Sequence, residues 1–270
     1  MSVNTVKWAA IISFVVAMVV LLGGGYFAMD KVPPYPGKVV GPDGKVLFTK
    51  SDILKGQDIF QKYGLMDHGS VWGHGSQRGM EFSAQSLHLI SLAARDYVAR
   101  QDYGKAFDDL DETQKAVVTI KVTKEIKENR YDSATDTLTL TEAQTQGLKK
   151  VEEFWEKTFR EGEKGHGFLP NTVKTSEERL EIARFFFWTA WVASTKRPDA
   201  DVTYTNNWPA DRTVGNVPTT DTYIWTLGGV LALLIVLGAF IFYVHYYGIW
   251  YGPAKGVPLA EKLIGMPLTP

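Results

Sequence analysis

Residues 56–88 read GQDIFQKYGLMDHGSVWGHGSQRGMEFSAQSLH and contain three of the five histidines in the chain. Five glycines fall between Gly64 and Gly79. Each interior glycine costs a helix about 1 kcal/mol relative to alanine, so this density predicts a loop. Glycine also lets the backbone approach another surface closely. The histidines and exposed carbonyl groups of this loop are therefore candidate contacts for a cofactor or a metal.

The absence of cysteine limits which cofactor that could be. A helix beginning at Gly56, followed by such a loop, has the outline of a small c-type cytochrome. Covalent haem c is excluded, because its C-x-x-C-H signature needs two thiols. A non-covalent haem held by His68 or His74 and a methionine stays open.

A metal ion is the other option at this loop. Zinc bound by His68, His74 and His88 would lack a close ligand pair and a carboxylate. Calcium takes backbone carbonyl and amide oxygens, which residues 73–77 can offer. The plain alternative is a tight loop whose glycines serve packing only.

Two long stretches without Asp, Glu, Lys or Arg flank the rest of the chain, Trp8–Met29 and Tyr223–Tyr247. About 20 apolar residues cross a bilayer as a helix, so both predict transmembrane helices. A cleaved signal peptide is the alternative for the first, and a buried core helix for the second. The predicted organisation is a membrane helix at 1–29, a central domain at 30–221, a membrane helix at 222–248, and a cytoplasmic tail or link at 249–270.

The charges beside the two spans predict their orientation. Lys7 precedes the first, and Lys255 and Lys262 follow the second. Basic flanks favour the cytoplasm, so the central domain is expected on the other side of the membrane. The net charge of -1 gives no reason to expect a nucleic-acid partner.

The central domain is predicted to be mainly helical. Pro42-Asp43-Gly44 between apolar runs predicts a hairpin. Five helices are predicted, the first beginning at a Ser51 cap and the second at a Ser83 cap. The third runs from near 109 to near 129. The fourth begins at a Thr141 capping box and ends near 161, and the fifth begins at Ser176 and ends before Pro198. The last is apolar nearly all round, which indicates a helix central to the core, or one pressed against another subunit or a membrane.

No self-sufficient active site is visible in the sequence. It contains no GxGxxG fingerprint, P-loop or HExxH zinc motif, and no nucleophile–base spacing is informative. The residues alone therefore point to no catalytic group.

Several sequence blocks, in order along the chain, carry a family resemblance. The chain resembles the N-terminal region of the single-chain quinol-dependent nitric oxide reductases of the haem–copper oxidase superfamily. The blocks are Pro33-Pro34-Tyr35-Pro36, residues 52–57 (DILKGQ), Gly73-His74-Gly75, Leu87-His88, residues 186–189 (FFWT), residues 193–199 (ASTKRPD), residues 204–209 (YTNNWP) and residues 216–220 (NVPTT).

The resemblance implies a fold, a reaction and partners. It implies a cytochrome c-like domain that has lost its haem, set between two helices of the cytoplasmic (inner) membrane. That domain would cap a multi-span bundle carrying haem b, haem b3 and a non-haem iron, which reduces two NO to N2O with electrons from the quinol pool. The ligands of those groups would lie beyond Pro270, so this chain would be a fragment or one subunit of a split enzyme.

The resemblance also implies one shared metal. In the family a calcium ion bridges the haem propionates and is held by a glycine carbonyl and a tyrosine two residues later. Here those positions are Gly75 and Gln77, and an amide oxygen can also bind calcium.

Residues Gln77, Arg78 and Met80 depart from the tyrosine and proline common in the reductases. Similar departures occur in NO dismutases, relatives thought to convert NO to N2 and O2. That activity is one alternative for this chain. A non-catalytic, membrane-anchored assembly subunit is the other.

Overall fold

The computed structural model describes residues 3–29 and 31–251. The predicted tail at 249–270, with Lys255 and Lys262, lies outside those residues from residue 252 onward. Within them the chain is mainly helical, as the sequence predicts. The seven helices are α1 Val3–Met29, α2 Lys50–Lys62, α3 Phe82–Tyr103, α4 Glu112–Lys127, α5 Glu142–Glu161, α6 Ser176–Ser194 and α7 Thr220–Tyr251. The strands are β1 Lys38–Val40, β2 Val46–Thr49, β3 Ser70–Val71, β4 His74–Gly75, β5 Tyr131–Asp132 and β6 Thr137–Thr139.

The first and last helices have the composition of membrane spans. Lys7–Met29 and Thr220–His245 are long and apolar enough to cross a bilayer. Neither is buried within the protein. A core helix would be covered by the rest of the fold, so the core-helix alternative for α7 is wrong. Two such apolar helices anchor a chain in a membrane.

The chain divides by its contacts into two units, Met1–Pro218 and Thr219–Pro270. The predicted boundaries of the central domain, 30 and 221, stay predictions.

A small sheet closes one side of the central domain, with strand order β2-β1-β6-β5. The predicted hairpin is confirmed, because β1 and β2 pair antiparallel with Val39 opposite Phe48. A further short strand, β6, pairs parallel with β1, with Val39 opposite Leu138. This is a long-range contact that periodicity does not reveal.

Capping residues set the helix starts, and two predicted caps are wrong. The N-cap of α2 is Thr49 rather than Ser51, because the Asp52 side chain accepts from the Thr49 main-chain N–H at 2.7 Å. Gly56 therefore lies inside α2 and does not begin a helix. The N-cap of α3 is Glu81 rather than Ser83.

The capping box and the helix start that are predicted further along the chain are confirmed. The Thr141–Gln144 box at the start of α5 is confirmed. The start of α6 at Ser176 is also confirmed, with Thr175 as its N-cap. The helix predicted near 109–129 is present but shorter, as α4.

Helix α6 lies at the centre of the central domain and packs against α2, α3 and α5. Nearly all its residues after the first turn are buried, which confirms that it is a core helix. Aromatic rings fill the space between these helices, and we call this group the ring core. Its members are Phe60, Phe82, Trp155, Phe159, Phe168, Phe185 and Phe186.

Candidate functional site

The glycine-rich segment between α2 and α3 folds back on itself. Residues Leu65–Asp67 form one 3-10 turn, and β3 and β4 then pair antiparallel, with Val71 opposite His74. The prediction of an irregular loop here is confirmed in outline, with a short hairpin added. We call this segment, residues 63–81, the docking loop.

The tip of the docking loop has an uncommon backbone. Trp72 has a φ of 53° and Gly73 a φ of 81°. Positive φ at both positions of a two-residue turn is the type I′ pattern, which favours Asn-Gly. A bulky side chain in that conformation costs on the order of 1–3 kcal/mol, so its surroundings must hold it in place.

Hydrogen bonds from Trp72 hold this turn. Its main-chain N–H donates to the hydroxyl of Ser83 at 3.1 Å, and its indole N–H donates to the carbonyl of Thr189 at 2.9 Å. The second bond ties the turn to the central helix α6. Its ring also packs at 5.6 Å from that of Trp188.

Glu81 joins the turn to the start of α3. Its carboxylate accepts from the Ser83 hydroxyl at 2.6 Å and 2.8 Å, from the Ala84 N–H, and from the Gly73 N–H at 3.3 Å. Burial raises the pKa of Glu81 above its ordinary value, although these hydrogen bonds act in the opposite direction. A half-buried carboxylate with several N–H and O–H donors fixes the loop more firmly than any surface contact would.

Sequence reasoning missed Glu81 for a physical reason. Glutamate is a rare N-cap, and a serine two residues later matches the usual preference. The signal that could have identified it is the buried pair that it forms with that serine, which only the folded chain shows.

The two predicted calcium donors lie on the exposed side of the docking loop. Gly75 has a φ of 135°, and a β-carbon there would lie 2.3 Å from the carbonyl oxygen of Gly69. The chain therefore requires glycine at this position. Gln77 is exposed, and its amide forms no hydrogen bond with the described residues.

Gly75 and Gln77 offer oxygen donors of the type that calcium binds, but only a small part of its coordination shell. Calcium takes six to eight oxygens. Among residues 3–29 and 31–251, no three His, Cys, Asp or Glu side chains come together as a metal site. The residues fit calcium only as a partial donor set, and a calcium ion here would need its other ligands from elsewhere.

The three histidines of residues 56–88 lie in different surroundings. His68 packs on the ring of Phe168 with centroids 5.5 Å apart. His74 lies exposed at the hairpin. The Nδ1 atom of His88 is 3.3 Å from a carboxylate oxygen of Asp211. The structure therefore does not bring these histidines into one site.

A groove of about 310 Å³ lies beside the hairpin. Tyr35, Trp72, His74 and Trp188 are among the residues that line it. Tyr35 stacks on Trp188 at 4.2 Å, and the Trp188 indole N–H donates to the Pro34 carbonyl at 3.0 Å. The proline-rich linker is thus fixed against α6, beside the docking loop.

One comparison with known proteins identifies this arrangement. A family model for the cytochrome c-like domain of the nitric oxide reductase protein NorB matches residues 36–210, more than half of the 270-residue chain. The chain belongs to the NorB family of nitric oxide reductases. A search of curated proteins found no match.

Membership of the NorB family confirms the resemblance that the sequence blocks carried. The matched range includes the docking loop, the ring core and the central helix α6. Along the chain it lies between the two apolar helices, so a cytochrome c-like domain is flanked by two helices that are long and apolar enough to span a membrane. A domain of the NorB type implies a larger membrane catalytic complex as its partner.

Proposed function

We propose that this chain is the membrane-anchored outer domain of a nitric oxide reductase that converts two NO to N2O with electrons from quinol. The domain would face away from the cytoplasm and cap a multi-span bundle in the inner membrane. That bundle would carry haem b, haem b3 and a non-haem iron. The chain itself would contribute positioning and anchoring and no reacting group.

The observation that carries this proposal is the family match to residues 36–210. The docking loop supports a capping role, since a bulky aromatic residue is held at a strained turn beside an exposed glycine edge. Backbone strain of this kind clusters at functional sites. The lack of cysteine supports a domain without covalent haem.

Purification of the complex from native membranes tests the proposal. The tagged chain should bring down haem b, haem b3 and non-haem iron, and the complex should turn labelled NO into N2O when reduced quinol is added. The same chain expressed without the bundle should consume no NO and show no stoichiometric haem spectrum. A chain purified without any haem-bearing partner would instead support the non-catalytic assembly subunit.

Gln77, Arg78 and Met80 favour one alternative, an NO dismutase. Gln77 and Arg78 are exposed on the docking loop, whereas Met80 is buried. The same labelled-gas measurement separates the two reactions. Release of N2 and O2 without added quinol would overturn the reductase proposal and leave the capping role intact.

We also propose that Gly75 and Gln77 hold part of a calcium ion shared with the bundle, through the Gly75 carbonyl and the Gln77 amide oxygen. A bound calcium would bridge anionic groups of the partner and fix the docking loop against it. The Gln77→Leu variant should lower calcium affinity by at least about tenfold, since losing a coordinating or supporting group has that cost.

Calcium content of the purified complex, counted by elemental analysis after titration with a chelator, measures this effect. Because Gln77 is exposed, its replacement should leave the fold intact. Gly75→Ala should lose calcium as well, whereas Gly44→Ala is its matched control. Gly44 also has positive φ, at 77°, but has open space around it. Calcium in the complex without an oxygen of residues 73–77 within about 2.6 Å would disprove the site.

A further inference from the structure

One face of α4 carries an apolar patch followed by lysines. Val117, Ile120, Lys124 and Lys127 are spaced by three, four and three residues, which places them on one side of a helix. Ile120 is 70% exposed and Val117 37% exposed. Exposed apolar residues beside basic ones suit a surface that meets both acyl chains and anionic headgroups.

A groove of about 500 Å³ lies along this face. Ile120, Lys124, Lys127 and Lys196 line it, together with two threonines and Glu128. We call it the lysine groove. It is wide enough for a phosphate-sized headgroup with the first part of an apolar chain.

The positive charges in the lysine groove are poorly neutralised. In the described part of the chain, neither Lys124 nor Lys127 forms an ion pair. Lys196 is paired at 2.9 Å with Asp201, whose carboxylate is fully exposed, so that pair contributes little. Glu128, the one acidic residue at the groove, is paired with Arg130 instead.

Lys127 is the most constrained of the three lysines. Its ammonium group donates to the side-chain oxygen of Asn216 at 2.8 Å, a neutral partner. Burial lowers the pKa of Lys127 to about 8, and the nearby positive charge of Lys196 acts in the same direction. A desolvated ammonium beside a second one, with a neutral amide oxygen as its partner, is the environment that an anion stabilises.

Only a short stretch of chain separates a residue beside this groove from the start of an apolar helix. Only Val217, Pro218 and Thr219 stand between Asn216 and Thr220, the first residue of the membrane-spanning helix α7. Four residue steps of extended chain span at most about 14 Å. The residue that Lys127 contacts is therefore within that reach of the start of a membrane span.

From these observations we propose that the lysine groove binds the headgroup of an anionic phospholipid. Lys124, Lys127 and Lys196 meet the phosphate, and Ile120 and Val117 pack on the first part of an acyl chain. This surface goes beyond the capping role and does not depend on the NO chemistry. This lipid contact attaches the central domain to the membrane in addition to the two apolar helices.

The rate at which Lys127 reacts with an amine-acylating reagent tests the proposal, with the full chain in lipid nanodiscs. Peptide mass spectrometry compares discs of phosphatidylcholine with discs that also contain phosphatidylglycerol. We expect Lys127 to react about fivefold more slowly with phosphatidylglycerol present, the factor that attraction to an anionic leaflet gives. Lys149, an exposed residue of α5, should react equally in both discs.

Two double variants separate the groove from a general surface effect. Lys124→Gln with Lys196→Gln should abolish the lipid dependence at Lys127. Lys149→Gln with Lys150→Gln removes the same charge elsewhere and should leave it unchanged. Equal reactivity of Lys127 in both kinds of disc would overturn the proposal, as would lipid protection that survives the groove variant. Equal protection by inorganic phosphate in phosphatidylcholine discs would make it a free-anion site and would also overturn it.

Discussion

Replacing Gly56 with alanine is expected to lower the free energy of unfolding of the central domain by about 3 kcal/mol, the upper end of the cost of overpacking a core. An ordinary exposed helix would gain about 1 kcal/mol from the same change. The sign reverses here because α2 crosses α6 at this residue. A β-carbon on Gly56 would lie 2.3 Å from the carbonyl oxygen of Glu181 and 2.6 Å from the β-carbon of Phe185.

Neither of those atoms can rotate away, because both belong to the backbone or its first side-chain carbon. The two helices must therefore separate, and α6 is the helix on which the whole core packs. Thermal or urea unfolding of the full chain in detergent, followed by near-ultraviolet circular dichroism, reports the loss of packing around the aromatic rings.

Gly147→Ala is the matched control, since it gains the same helix propensity in α5. Its β-carbon would lie 2.9 Å from a methyl group of Ile90 and 3.1 Å from the α-carbon of that residue. Both distances are longer than those at Gly56, so the clash is smaller and we expect a loss of about 1 kcal/mol. Equal losses in the two variants, or a gain at Gly56, would show that α2 and α6 are not in such close contact.

Local signals made part of this fold predictable. Thr141 and Gln144 form a capping box three residues apart, and the helix that follows begins where they indicate. The hairpin of β1 and β2 likewise follows from Pro42-Asp43-Gly44, because a turn and its flanking strands are adjacent in sequence. The two membrane spans follow from length and composition alone.

The features that were missed depend on contacts between distant segments. Strand β6 joins β1 about a hundred residues away in the chain, and short strands carry little periodicity of their own. Ser51 and Ser83 were predicted as caps because serine is a common N-cap, yet Thr49 and Glu81 fill those positions. For Glu81 the choice depends on burial and on the N–H of Gly73, which no sequence pattern displays.

The candidate site, too, could be predicted only in part. Its identity as a close-approach loop could be predicted, because glycine density is a local property. Its geometry could not, since Trp72 is held by a carbonyl of α6 more than a hundred residues later. The lysine groove could not be predicted either, because Lys127 and Asn216 come together only in the folded chain.

Replacing Phe186 with alanine is expected to have the largest effect on stability, a loss of about 4 kcal/mol in the free energy of unfolding, within the range for buried phenylalanine. The Phe186 ring is fully buried and stacks on that of Phe82 at 4.6 Å with 5° between their planes. It also lies 4.9 Å from Trp155. Its removal leaves a cavity that surrounding rings, fixed by several helices, cannot close.

Phe154→Ala is the matched control on the neighbouring helix α5. The Phe154 ring lies 4.9 Å from the same Trp155, but Phe154 is only half-buried. We expect a loss of about 1 kcal/mol there, because water can fill the space that is left. Urea unfolding of both variants, at a temperature where each is still folded, gives the difference directly.

The same pair of variants separates stability from function. If the central domain contributes no reacting group, each variant that remains folded should support NO turnover by the complex at the wild-type rate per haem. A Phe186→Ala complex that is fully folded yet loses turnover would place the ring core in the reaction path. A loss of stability as small as that of Phe154→Ala would show that the aromatic contacts of α6 do not stabilise the core.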